Sequence, residues 1–169
     1  MEITKASKNF KELYIACKFL PKDDTRYAIK SLNVTKDEIQ STDGRRAIRV
    51  KNLQEIAPGR YKVASCTKSL IAIYPEDHEG NYPPFDDIFP KIDLDSDSNG
   101  STLFYSDVLA SISTLIYKIA QYKICLNGNF IKPIFDVQAD FEFFIQDEGS
   151  RPVYFRNDKA EIIIMPINP

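Results

Sequence analysis

One histidine, no tryptophan, two methionines and three cysteines in 169 residues leave little material for metal, redox or nucleophilic chemistry. The histidine, His78, sits in Pro75-Glu76-Asp77-His78-Glu79-Gly80, which reads as a solvated loop. A catalytic base needs an orienting partner and a pocket, and that stretch suggests neither. A single histidine also excludes a histidine-based metal cluster within one chain. No glycine-rich phosphate loop follows a strand, and no Gly-x-Ser-x-Gly elbow is present. The acidic stretch from Asp93 to Gly100 partly matches a calcium loop. It fails at two positions: Ser98 stands where the sharp-turn glycine belongs, and Phe104 where the bidentate glutamate belongs. An acidic surface loop is expected there, and neither metal nor cofactor.

Cys17, Cys66 and Cys125 are odd in number and widely spaced, which predicts reduced, buried thiols in the cytoplasm rather than a disulfide framework. No run approaches the ~20 apolar residues of a membrane span. The longest candidate, Ile112 to Ala120, is broken by Ser113, Thr114 and Lys118. Met1-Glu2-Ile3-Thr4-Lys5 lacks the apolar stretch of a secretion signal. These absences predict a non-enzymatic, cytoplasmic protein.

What is present is an ordinary core-forming composition, 43% hydrophobic, in a length that fits one compact domain. Net charge is −2 but unevenly spread: residues 1–70 carry +7 and residues 71–169 carry −9. A basic half can meet a polyanion if its side chains share one face.

The spacing predicts a short strand over Met1 to Ala6, then a helix from Lys8 to Leu20, capped by Ser7 and ended by Pro21. Phe10, Leu13, Cys17 and Leu20 fall on one stripe, and Lys8, Lys11 and Lys18 roughly opposite. Ile15 and Phe19 interrupt that polar face. Strand-like pieces follow at Tyr27 to Val34, Glu38 to Thr42, Ala47 to Val50, and Arg60 to Tyr74 with a break near Lys68. Turn signals at Lys36-Asp37, Asp43-Gly44 and Pro58-Gly59 separate them. Tyr82 to Pro90 is proline-rich and is expected to be irregular.

The pattern then restarts. A strand is predicted over Thr102 to Tyr105, then a helix capped by Ser106 and running to about Ala120. Tyr122 to Leu126 and Phe130 to Val137 read as a hairpin around Asn127-Gly128. Strands follow at Phe141 to Gln146, Val153 to Arg156 and Ile162 to Ile167. Phe141, Phe143 and Phe144 read as sheet core. The expected fold is α+β: two βαβββ-type repeats, with antiparallel sheet and two helices packed on one face. One domain over 1–169 is expected, with half-repeats 1–80 and 101–169 joined by a proline-rich, acidic linker at 81–100.

Three segments resemble the bacterial DNA polymerase III β-subunit sliding clamps. Ser41-Thr42-Asp43-Gly44-Arg45-Arg46-Ala47 is similar to the family's Ala-Thr-Asp-Gly-His-Arg-Leu. Tyr82-Pro83-Pro84-Phe85-Asp86-Asp87-Ile88-Phe89-Pro90 resembles the Phe-Pro-Asp-Tyr linker entering the last clamp domain. Ile163-Ile164-Met165-Pro166-Ile167-Asn168 is similar to the terminal Val-Val-Met-Pro-Met-Arg. In the family these segments line a hydrophobic groove that captures polymerase and clamp-loader peptides. Carried over, the groove would involve Thr42, Gly44, Arg46, Ala47, Pro83, Ile88, Ile163, Met165, Pro166 and Ile167. Asp86 and Asp87 replace family arginines, which should change the peptide preference.

The resemblance implies a clamp-like replication accessory protein, of the host or of a phage or mobile element. Lys8, Lys11, Lys18 and Lys118 would face double-stranded DNA without reading bases. A family chain carries three domains and closes a six-domain ring as a dimer, so a single-domain chain would have to form a homo-oligomer to encircle DNA. The other expectation is a peptide-binding module, or a decoy of clamp partners, with no DNA role.

Overall fold

The computed structural model describes residues 1–22, 29–77, 81–89, 101–103, 107–136, 140–145 and 151–167. His78, Pro90, the acidic stretch at 93–100, Phe104, the expected cap Ser106 and Asn168 lie outside the described residues. The chain divides into two compact units, Met1–Ile88 and Phe89–Pro169. Both combine helices with antiparallel strands, so the fold class is α+β.

In the first unit the elements are β1 (Glu2–Thr4), α1 (Phe10–Lys18), β2 (Leu32–Val34), β3 (Glu38–Thr42), β4 (Arg46–Lys51), β5 (Gly59–Cys66), β6 (Leu70–Pro75) and α2 (Phe85–Ile88). The strands lie in the order β1-β6-β5-β2-β3-β4. Ile39 faces Val50 and Ser41 faces Ile48 across β3 and β4, and all four side chains are buried. Period-2 alternation fixes this register, since a one-residue slip would turn the isoleucines to the other face. Val63 pairs with Ile73 but Ser65 with Ala72, so Ala64 is an extra residue that bulges β5.

One local device closes several hairpins. The first turn residue donates its N–H to the carbonyl of the fourth, while its own side-chain oxygen accepts the fourth residue's N–H. Asp43 does this with Arg46, Thr67 with Leu70, and Thr35 with Glu38. A side-chain oxygen standing in for a backbone carbonyl is the reason Asp, Asn, Ser and Thr favour turns. Asn157 closes the β9–β10 turn of the second unit on Ala160 in the same way.

Helix α1 is shorter than predicted. Asn9 is its N-cap residue, not Ser7, and the Asn9 side-chain amide donates to the Lys51 carbonyl at 2.6 Å instead of capping. Lys8 therefore precedes the helix. Phe10, Leu13 and Cys17 are buried as the stripe predicts, but Glu12, Tyr14, Ile15 and Ala16 are buried too. Ile15 and Phe19 do not spoil a polar face, because α1 has almost none. Complete burial of Leu13, Ile15 and Phe19 contributes ~1.5–3 kcal/mol each.

The second unit holds β7 (Ser101–Leu103), α3 (Val108–Gln121), α4 (Gly128–Asp136), β8 (Phe141–Phe144), β9 (Val153–Arg156) and β10 (Ala160–Ile164). Its strands lie in the order β10-β9-β8-β7. Phe143 faces Phe155, ring centroids 6.1 Å apart, and Phe144 faces Tyr154 at 6.0 Å. With Phe141, Ile162 and Ile164 they form its buried core, as expected of the phenylalanine run.

Two predictions here are corrected. The Asn127-Gly128 hairpin does not form: Gly128–Asp136 is helix α4. Asn127 Oδ1 accepts the Asn129 N–H at 3.0 Å, so an asparagine read as a turn residue serves as a helix-starting acceptor. Pro133, which would have interrupted a sheet ladder, is buried within α4. The Tyr82 to Pro90 segment, expected to be irregular, contains the single turn α2. At the start of α3, Asp107 supplies the cap, its carboxylate accepting the Ala110 N–H at 3.0 Å. No described helix is long and apolar enough to cross a membrane.

Candidate functional site

In the first unit, the residues predicted to line a groove are largely engaged in holding the β3–β4 turn. Thr42 Oγ1 donates to the Arg46 carbonyl at 2.8 Å and accepts the Gly44 N–H at 3.0 Å. Gly44 has φ +82°, a left-handed conformation in which glycine is strongly favoured. Asp43 Oδ1 accepts the N–H groups of Arg45 and Arg46, each at 3.0 Å. Arg46 is 8% exposed. Its Nε donates to Asp43 Oδ2 at 2.9 Å, a terminal nitrogen donates to the Lys18 carbonyl at 2.8 Å, and its guanidinium lies 4.3 Å over the Phe19 ring. Arg46 thus ties the turn to the C-terminal end of α1, where unpaired carbonyls and the helix dipole favour a cation. Ala47 is buried. Thr42, Asp43, Gly44 and Arg46 thus each have a structural part in this turn.

The Tyr82–Ile88 segment is docked on the sheet. Gln40, Asn33 and Arg60 form one row across β3, β2 and β5. The Tyr82 hydroxyl donates to the Gln40 carbonyl at 3.3 Å, and its ring lies 4.3 Å beneath the Arg60 guanidinium. Burial pushes the Tyr82 phenol well above the ordinary tyrosine range, although Arg60 pulls the other way. Burial also lowers Arg60. Tyr82 stacks on the buried Phe85 at 5.5 Å. Pro83 and Ile88 remain half-buried. Asp86 lies 3.5 Å from Arg49, and Asp87 is exposed. Sequence reading missed Tyr82 and Arg60 as the anchors of this segment. An aromatic beside two prolines was the available signal.

In the second unit, Ile163 is buried within β10 together with Ile162 and Ile164. The chain then leaves the strand with Met165 40% exposed, Pro166 half-buried and Ile167 42% exposed. The Ile167 N–H donates to the Cys125 carbonyl at 2.7 Å, so these apolar side chains are held outward on a hydrogen-bonded backbone. Cys125 is exposed and Cys66 half-buried, which corrects the expectation of three buried thiols; Cys17 is buried.

Of the four lysines, Lys8 and Lys11 are exposed. Lys18 is half-buried, its Nζ donating to the Cys66 carbonyl at 3.4 Å and lying 5.0 Å from the Tyr14 ring. Lys118 is half-buried on α3. The exposed side of α3 carries Leu109 at 77%, Ile116 at 61% and Tyr117 at 62%. That side is apolar and neutral. Among the described residues no three metal-ligating side chains converge.

No family model matches the chain, and no curated protein matches its sequence. Solved structures do match. The DNA polymerase III subunit beta of Borrelia burgdorferi, in complex with a natural product, superposes with TM-score 0.58 at 13% identity, over 100% of this chain and 63% of that one. The Helicobacter pylori beta clamp bound to a DNA ligase peptide gives 0.57 at 11% identity, over 99% and 65%. The DNA polymerase sliding clamp of Pseudomonas aeruginosa gives 0.54 at 11%, over 100% and 67%. The chain spans just under two thirds of the length of the first two. At such identities the likeness is one of backbone architecture. The chain has the fold of the bacterial DNA polymerase III β-subunit sliding clamps.

Proposed function

We propose that this is a non-enzymatic, clamp-fold accessory protein of DNA replication, cytoplasmic, that captures short apolar peptides from polymerase or clamp-loader partners. The observation that carries the reading is the Met165–Ile167 segment. After three buried isoleucines, two large apolar side chains stay exposed on a backbone pinned to Cys125. Exposed Met and β-branched residues on a fixed backbone form an adaptable apolar docking surface. The Helicobacter pylori clamp, of the same fold, is known bound to a peptide. Pro83 and Ile88 of the first unit are the further candidates for peptide contact, whereas Thr42, Gly44 and Arg46 hold the turn.

Selection of displayed random peptides on the immobilised protein tests this. Enrichment of an apolar consensus whose binding is lost in Met165→Glu and kept in Lys11→Glu is expected. No enrichment, or binding indifferent to Met165→Glu, rejects the reading.

A second reading, non-specific DNA binding, is favoured by the exposure of Lys8 and Lys11 on the basic half of the chain. It requires a steep loss of affinity with salt. Encirclement requires in addition a closed multimer, which light scattering across a concentration series would detect. A stable monomer rules encirclement out.

A further inference from the structure

Helix α1 packs on β3, β4 and β5, and its last turn, which carries Cys17, meets the end of β5 at Cys66. Cys66 Sγ, at the end of β5, lies 4.0 Å from the Tyr14 carbonyl oxygen. Lys18 Nζ reaches the Cys66 carbonyl at 3.4 Å. Cys17, three residues on from Tyr14, lies on the same side of that turn. The neighbouring Cys17 thiol as hydrogen-bond donor, helped by the Lys18 ammonium and opposed by burial, holds the Cys66 thiol below the ordinary range. The shared hydrogen bond and burial push Cys17 well up. Cys66 is half-buried and Cys17 buried. The two thiols therefore differ in the properties that decide the order of thiol–disulfide exchange, namely thiolate character and access.

We propose that Cys66 is a modification site for small disulfides such as oxidised glutathione, with Cys17 as the resolving thiol that closes a Cys17–Cys66 bond between α1 and β5. The Cys66 thiolate attacks one sulfur of the disulfide, whose S–S bond breaks and releases one thiolate. The Cys17 sulfur, passing its proton to that thiolate, then attacks Cys66 Sγ and expels the second. Two protein thiols are oxidised to one disulfide, and one small disulfide is reduced to two thiols. The new bond would fix the last turn of α1, which carries Lys18, to the end of β5.

The test uses the full chain with Cys125→Ser, so that only the two thiols in question remain. Incubating the folded, reduced protein with oxidised glutathione should give a product two hydrogens lighter, with the Cys17 and Cys66 peptides joined and no glutathione retained. Adding Cys66→Ser should leave Cys17 unreacted while the protein is folded. Iodoacetamide on the unsubstituted chain checks the order of attack without relying on any variant: Cys66 should be alkylated before Cys17. Glutathione persisting on Cys66, no reaction in the folded protein while the denatured chain oxidises, or Cys17 alkylated as fast as Cys66 would each overturn the proposal.

Discussion

Helices α1 and α3 each follow the first strand of their unit, yet they meet solvent in opposite ways. Helix α1 buries every residue from Glu12 to Cys17 and shows solvent mainly Lys11. Helix α3 buries Ser111 and Leu115 while exposing Leu109, Ile116 and Tyr117. Both units open with a strand followed by a helix, but the chemistry of the helix surface is not repeated. A pair of helices offered to phosphates would carry lysine or arginine on both exposed sides. One here shows a single well-exposed lysine and the other an apolar side, which is why peptide capture ranks above DNA contact.

The largest expected effect that sharpens this contrast is on stability. Leu13→Ala should cost ~2–5 kcal/mol in urea denaturation, whereas Ile116→Ala should stay within about 0.5 kcal/mol. Similar losses from both would show that α3 is covered in solution. The turns give the next contrast. Gly44→Ala forces a side chain onto φ +82° and should cost ~1–2 kcal/mol. Asp158→Ala, at the corresponding exposed position of the β9–β10 turn, should change little, because Asp158 has no positive φ. Asn157→Ala takes the acceptor from the N–H groups of Lys159 and Ala160, held at 2.9 and 2.8 Å, and should cost about 1 kcal/mol. The smallest effect is electrostatic. Lys118→Ala, half-buried on a neutral helix, should leave any DNA affinity unchanged, while Lys11→Ala lowers it and flattens its salt dependence. A larger effect from Lys118 would restore α3 as a phosphate-facing surface.

Much of the fold was legible because strands and turns are written locally. Val153–Arg156 and Glu38–Thr42 coincide with their predicted ranges, and Lys36-Asp37, Asp43-Gly44 and the break near Lys68 are all turns. The failures share a cause, which is that one residue type serves two structures. Asn127 followed by glycine suits a hairpin or a helix start, and only Pro133 weighed against a strand there. Burial on both sides of α1 could not be read from its own periodicity, because what lies over Ile15 and Phe19 is set by distant chain. The candidate site was legible as sequence likeness but not as roles. Thr42, Gly44 and Arg46 match the clamp segment in sequence, and only contacts such as Thr42 to the Arg46 carbonyl and Arg46 to the Lys18 carbonyl reveal their part in the fold.

The most direct test of the central claim is the dissociation constant of a selected apolar peptide, by fluorescence anisotropy, for the natural chain and for Met165→Glu. Loss of more than about tenfold, ~1.4 kcal/mol, is predicted, with an unchanged urea transition showing that the fold is intact. Equal affinity for both proteins would contradict the assignment of the Met165–Ile167 segment as the docking surface.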